Sequence, residues 1–115
     1  MSDVLEQLAV TLDQRKGADP DTSYVAGLHR EGLNKILEKV GEEATEVVLA
    51  AKDVEQGAAP AELVGEVADL WFHTMVMLSH LDVHVREVTE CLRQRLGISG
   101  IEEKAGRGKH KTRQN

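Results

Sequence analysis

The segment from Pro60 to Leu81 constrains this chain more than any other. Leu63, Val64, Val67, Leu70, Trp71, Thr74, Met75, Met77, Leu78 and Leu81 recur with helical period and occupy most of the helix circumference. One polar stripe remains, carrying Glu62, Glu66, Asp69, His73 and His80. A helix that is apolar on nearly every side must be covered on several sides. A chain of 115 residues supplies part of that cover from its own helices; the rest predicts a second subunit. The expectation is an all-α bundle of four to five helices that forms a homodimer or a larger homo-oligomer.

The remaining periodicity agrees. From Leu33 to about Gln56 an apolar stripe runs through Leu33, Ile36, Leu37, Val40, Ala44, Val47, Val48 and Ala51, with Gly57 as its stop and Pro60 in the next helix's first turn. Leu5, Leu8, Ala9 and Leu12 predict an opening helix that starts near Asp3 and ends at Gly17. Ser23 can cap a short piece through Tyr24, Val25 and Leu28 that ends near Gly32. A last helix is expected from Val85 to Leu96, with Asp82 or His84 near its cap and Gly97 closing it. Strand-like alternation, repeats and internal linkers are absent from the sequence. One domain is therefore expected over residues 1–97, and residues 98–115 form a Gly-rich basic tail predicted to be flexible.

Composition narrows the function classes. Aromatics are 3%, so the core must be aliphatic, and a single cysteine, Cys91, rules out a disulfide framework. All five basic residues after position 103 lie in the tail, leaving residues 1–103 with 9 basic and 20 acidic residues. An acidic body argues against nucleic acid as a partner. No stretch is long enough to span a membrane, and the N-terminus has no basic-then-apolar leader, so the expected location is the cytoplasm.

Five acidic residues point to chemistry. Glu42, Glu43 and Glu46 lie one turn or less apart beside the apolar stripe of their helix, and Glu66 and Asp69 share the polar stripe of the next. Carboxylates near an apolar interface are costly unless something pairs with them. Five of them gathered around one point make sense around a hard cation, Mg²⁺ or Mn²⁺. A solvated acidic face is the plainer reading of Glu42, Glu43 and Glu46 taken alone. His73 lies four residues after Asp69 and can orient that carboxylate, ligate metal or bond substrate. Lys35, Lys39 and Lys52 flank the acidic cluster; they fit either substrate phosphate or helix-stabilising ion pairs. With no phosphate loop and no nucleophile–base pair, the chemistry expected is attack by water.

The string GLNKILEKVGEEATEVVLAAK from Gly32 to Lys52, followed by EVADLWFH from Glu66 to His73, resembles the phosphoribosyl-ATP pyrophosphatase family. That family belongs to the all-α, MazG-like pyrophosphohydrolases, whose mark of Glu-Glu-x-x-Glu and then Glu-x-x-Asp is met here by Glu42, Glu43, Glu46, Glu66 and Asp69. The resemblance spans about residues 1–96 and includes the Ser23-Tyr24 start. It implies a Mg²⁺-dependent dimer that cleaves 1-(5-phospho-β-D-ribosyl)-ATP to the AMP derivative and pyrophosphate in histidine biosynthesis. It also implies hand-off to a separate phosphoribosyl-AMP cyclohydrolase, for which this chain has no room. Either Glu43 or Glu46 is the expected acceptor of the attacking water's proton. Two other readings share these residues: a house-cleaning nucleoside triphosphate pyrophosphohydrolase, and a non-catalytic metal-binding helical dimer.

Overall fold

The computed structural model describes residues 2–97, with side chains from Val4 onward. The expected basic tail lies outside the described residues. Five α-helices and no strand are present among them. The chain divides after His84 into two units.

The first unit holds four helices. Helix α1 runs Ser2–Arg15 and gives way to a turn in which the Asp19 carboxylate accepts the Asp21 N–H at 3.0 Å. Helix α2, Tyr24–Glu31, starts on Ser23, whose Oγ accepts the Ala26 N–H at 3.1 Å, as the sequence predicts. Gly32 then serves two helices. Its N–H donates to the Leu28 carbonyl at 3.0 Å and its own carbonyl accepts from Ile36 at 3.2 Å. A φ of 100° makes the sharp break between them, a conformation glycine adopts without a Cβ penalty. Helix α3, Leu33–Glu55, is 23 residues long, about 35 Å. It ends in a turn where Gly57 has φ 110°. Helix α4 is Ala61–His80, with Pro60 one residue ahead of it and the Pro60 carbonyl accepting from Val64 at 3.0 Å.

The dominant packing is α3 along α4, with α2 against α3 and α1 against α4. Leu12, Val25, Ala26, Leu28, Ile36, Ala50, Met75 and Val76 are buried. Ile36 and Met75 of the stripes read from the sequence are among them. Ala50 and Val76 lie inside, whereas Val48 is 60% exposed, Val64 65% and Trp71 57%. The flanks of α3 and α4 carrying these three residues have no helix of this unit over them. No helix among the described residues is long and apolar enough to cross a membrane.

The second unit contributes helix α5, Val85–Gly97, in agreement with the expected bounds. Val88, Leu92 and Leu96 recur every four residues along it, and Arg93 pairs with Glu90 one turn earlier. Cys91 is exposed.

Candidate metal centre

The α3–α4 packing brings the two acidic clusters face to face. One carboxylate oxygen each from Glu43, Glu66 and Asp69 lie within 4.8 Å of one another. Oxygens on one octahedral Mg²⁺ at 2.0–2.1 Å are about 3 to 4.2 Å apart, so a small closure of the trio fits a hard divalent cation. Glu43 is well enclosed, its side chain 14% exposed. Partial desolvation, and then the charges of Glu46, Asp69, Glu43 and Glu62, push the Glu66 carboxyl up from its ordinary value. Desolvation and like charge both raise this carboxyl, and no cation among the described residues lowers it, which marks the cluster as short of positive charge.

The five acidic residues are not equivalent. Glu43, Glu66 and Asp69 form the trio. Glu46 is near enough for its charge to act on Glu66, yet it lies outside the trio. Glu42 turns away, its Oε1 accepting from Lys39 Nζ at 3.4 Å with the side chain 57% exposed. Consecutive residues on a helix point about 100° apart, so Glu42 and Glu43 cannot face α4 together.

His73 is buried one turn beyond Asp69. The sequence suggested that it could orient the Asp69 carboxylate. Instead its Nδ1 donates to the Asp69 backbone carbonyl at 3.0 Å and stands 3.9 Å from Glu43 Oε2. Its Nε2 meets the Tyr24 hydroxyl at 2.8 Å. The Tyr24 ring sits edge-on to the imidazole at 5.8 Å and stacks on Phe72 at 6.5 Å. Tyr24 was visible in the sequence as part of the short helix after Ser23 and of the family-like Ser23-Tyr24 start; its partner lies 49 residues away, beyond the reach of any periodicity.

The three lysines pair along α3 with the i,i+3 spacing expected of helix-stabilising ion pairs. Lys35 bonds Glu38 at 3.0 Å, Lys39 bonds Glu42, and Lys52 bonds Glu55 at 2.6 Å. The bond to Glu38 holds the Lys35 ammonium above its ordinary value, and the bond to Glu42 and then the Tyr24 phenol do so for Lys39. Lys35 and Lys39 also line a groove of about 520 Å³ between the 20–23 turn, α2 and α3. Arg30 and Tyr24 line it with them, as do the acidic Asp21 and Glu31. Lys52 is exposed and lines no part of that groove.

An all-helical bundle with a carboxylate trio spaced for a hard cation is the class that fold and site define. The family model described as phosphoribosyl-ATP pyrophosphohydrolase matches residues 5–96, which include every helix residue of the site. A phosphoribosyl-ATP pyrophosphatase of Burkholderia cenocepacia (strain HI2424) is 58% identical over 113 residues, covering 98% of this chain and 93% of the relative. Proteins of the same name from Burkholderia ambifaria (strain MC40-6) and Burkholderia vietnamiensis (strain G4 / LMG 22486) match at 58% identity with the same coverage. The chain belongs to the phosphoribosyl-ATP pyrophosphohydrolase family, and it is a hydrolase.

Proposed function

We propose that this chain hydrolyses 1-(5-phospho-β-D-ribosyl)-ATP to 1-(5-phospho-β-D-ribosyl)-AMP and pyrophosphate, the second step of L-histidine biosynthesis. The single observation that carries the proposal is the Glu43–Glu66–Asp69 trio, inside a chain matched by that family over residues 5–96. Mg²⁺, or Mn²⁺ in its place, fits the donor set of carboxylate oxygens. When bound there, it supplies charge to offset the triphosphate and polarises water and phosphoryl oxygens.

The chain's own residues do the rest. Glu43, Glu66 and Asp69 would hold the cation, with Glu46 at its margin and Glu42 turned away to Lys39. Glu46 stands beside the trio and outside it, so its carboxylate is the better placed of the two candidate bases to accept the water's proton. Lys35 and Lys39, with Arg30 and Tyr24, give the groove cations and an aromatic wall for substrate, the lysines exchanging Glu38 and Glu42 for phosphate. Lys52, paired with Glu55 outside the groove, takes no part in that exchange. The exposed Val48, Val64 and Trp71 support a homodimer, because such apolar area is covered in stable assemblies. The reading places the protein in the cytoplasm, handing its product to a separate phosphoribosyl-AMP cyclohydrolase.

Pyrophosphate release from phosphoribosyl-ATP, with ATP and dCTP as controls, tests the proposal. A strong preference for phosphoribosyl-ATP, abolished by EDTA and restored by Mg²⁺, is the expected result. Faster release from ATP or dCTP would make this a house-cleaning enzyme, and no release from any of the three would leave a non-catalytic helical dimer. Light scattering that finds a folded monomer at micromolar concentration would remove the dimer.

A further inference from the structure

Tyr24 has an exposed ring and an occupied hydroxyl, a combination that needs a reason. The residue is 56% exposed, yet its hydroxyl reaches inward to the buried His73. The other side of that imidazole decides the hydrogen-bond roles. Nδ1 faces the Asp69 carbonyl at 3.0 Å and Glu43 Oε2 at 3.9 Å, and both of those oxygens accept only. Nδ1 must therefore carry a proton; in the neutral imidazole Nε2 is then the acceptor and the phenol donates to it.

We propose that Tyr24 is a positioning residue of the metal centre. Its hydroxyl pins the orientation of His73, whose Nδ1–H bonds the Asp69 carbonyl and whose positive edge lies 3.9 Å from Glu43 Oε2, an electrostatic contact that favours Glu43 in its place beside Glu66 and Asp69. Three helices meet in this chain of contacts: Tyr24 on α2, His73 on α4 and Glu43 on α3. Glu43 is the trio member from α3, so its side chain sets whether the trio is closed across the helix interface. An unanchored imidazole could rotate and present carbon in place of N–H to that carboxylate. Partners that orient a metal-binding side chain from behind change metal affinity by about 10- to 100-fold when lost. Tyr24 also walls the groove of Lys35 and Lys39, so one side chain borders both the groove and the support of the trio.

The inference rests on the metal reading above, and the test separates the two. Mn²⁺ binding to the full chain is followed by the electron paramagnetic resonance of free Mn²⁺, without substrate. Tyr24→Phe, which keeps the ring and its stacking on Phe72, should weaken Mn²⁺ binding about tenfold. His73→Gln should weaken it comparably. Because Tyr24 acts through His73, adding Tyr24→Phe to His73→Gln should cost less than about a further twofold. Wild-type affinity in Tyr24→Phe, or losses that multiply in the double variant, would overturn the proposal. Nitrogen NMR of wild-type His73 decides it independently of how any variant folds: protonated Nδ1 with an accepting Nε2 is expected, and an Nε2–H tautomer would overturn it. A wild-type chain that binds no Mn²⁺ would remove the metal centre itself and, with it, the role given to Tyr24.

Discussion

Helix α4 carries two polar clusters seven residues apart, one around His73 and one around His80, and they are built on opposite plans. Around His80 the groups answer one another. Its Nδ1 meets His29 Nδ1 at 2.9 Å with the rings stacked, Ser79 Oγ donates to Asp13 at 2.5 Å, and Lys16 pairs with Asp82 at 3.1 Å. One polar atom, His29 Nε2, is left without a partner among the described residues. Around His73 the carboxylates face one another, and no ion pair among the described residues brings a lysine or arginine to Glu43, Glu66 or Asp69. A cluster that satisfies itself joins helices. A cluster that leaves like charges together gains from a cation added from solution.

The sharpest way to break this contrast is to neutralise both corners and compare losses. Glu43→Gln, Glu46→Gln, Glu66→Gln and Asp69→Asn should each lower turnover by at least about a hundredfold, since each removes charge that the metal-bound triphosphate needs. Their circular dichroism and melting should hold or improve, because clustered repulsion is relieved. Glu38→Gln, on the same helix and bonded to Lys35, should change turnover little. Variants of the trio that unfold while the folded fraction keeps full specific activity would make this corner structural like the other.

At the His80 corner the effect should move from turnover to stability. Ser79→Ala leaves Asp13 without its hydroxyl partner and should cost about 1 kcal/mol in urea titration. Specific activity of the folded fraction should remain. A hundredfold loss of turnover in stable Ser79→Ala protein would abolish the distinction between the corners.

The two corners should also respond to pH with opposite sign. Burial, then His80 and Lys16, hold His29 below its ordinary value of 6.5 against the pull of Asp13. Below 6.5 the unfolded chain takes up a proton that the fold refuses, so this corner loses stability as pH falls. Urea midpoints at about pH 7 and about pH 5.5 should drop on acidification, and His29→Gln should flatten that drop. Glu66 is raised, so the folded metal-free chain holds its proton more tightly than the unfolded one above 4.5. Its contribution is a small loss of stability as pH rises through that window. Glu66→Gln should remove this slope in EDTA-treated protein, and added Mg²⁺ should reverse it. A slope that survives the substitution would place the repulsion elsewhere.

Which residues share a corner was only partly legible in the chain. Glu66 and Asp69 were readable as neighbours, because three residues along a helix return to one face. Choosing among Glu42, Glu43 and Glu46 was not possible, since all three lie beside the apolar stripe and periodicity gives no absolute rotation. That rotation is fixed by which residues the α3–α4 packing buries, Ile36 and Ala50 on α3 and Met75 and Val76 on α4. It turns Glu43 inward and leaves Glu42 to Lys39. The lysines show the same limit: the i,i+3 spacing of Lys35, Lys39 and Lys52 with Glu38, Glu42 and Glu55 is in the sequence, while the groove that recruits two of them is not.

By itself the sequence determined the helices and their stops, because helical period, a capping serine and glycine breaks act over a few residues. The Ser23 cap, the break at Gly32 and the span of α3 all follow from such local terms. Only the tertiary structure decided that Tyr24 reaches His73, that His29 meets His80, and that Glu43 rather than Glu42 completes the trio. Those choices join residues tens of positions apart through the rotation and axial offset of whole helices. Rotation and offset are set by how side-chain volumes interlock across an interface, a quantity that no single segment carries.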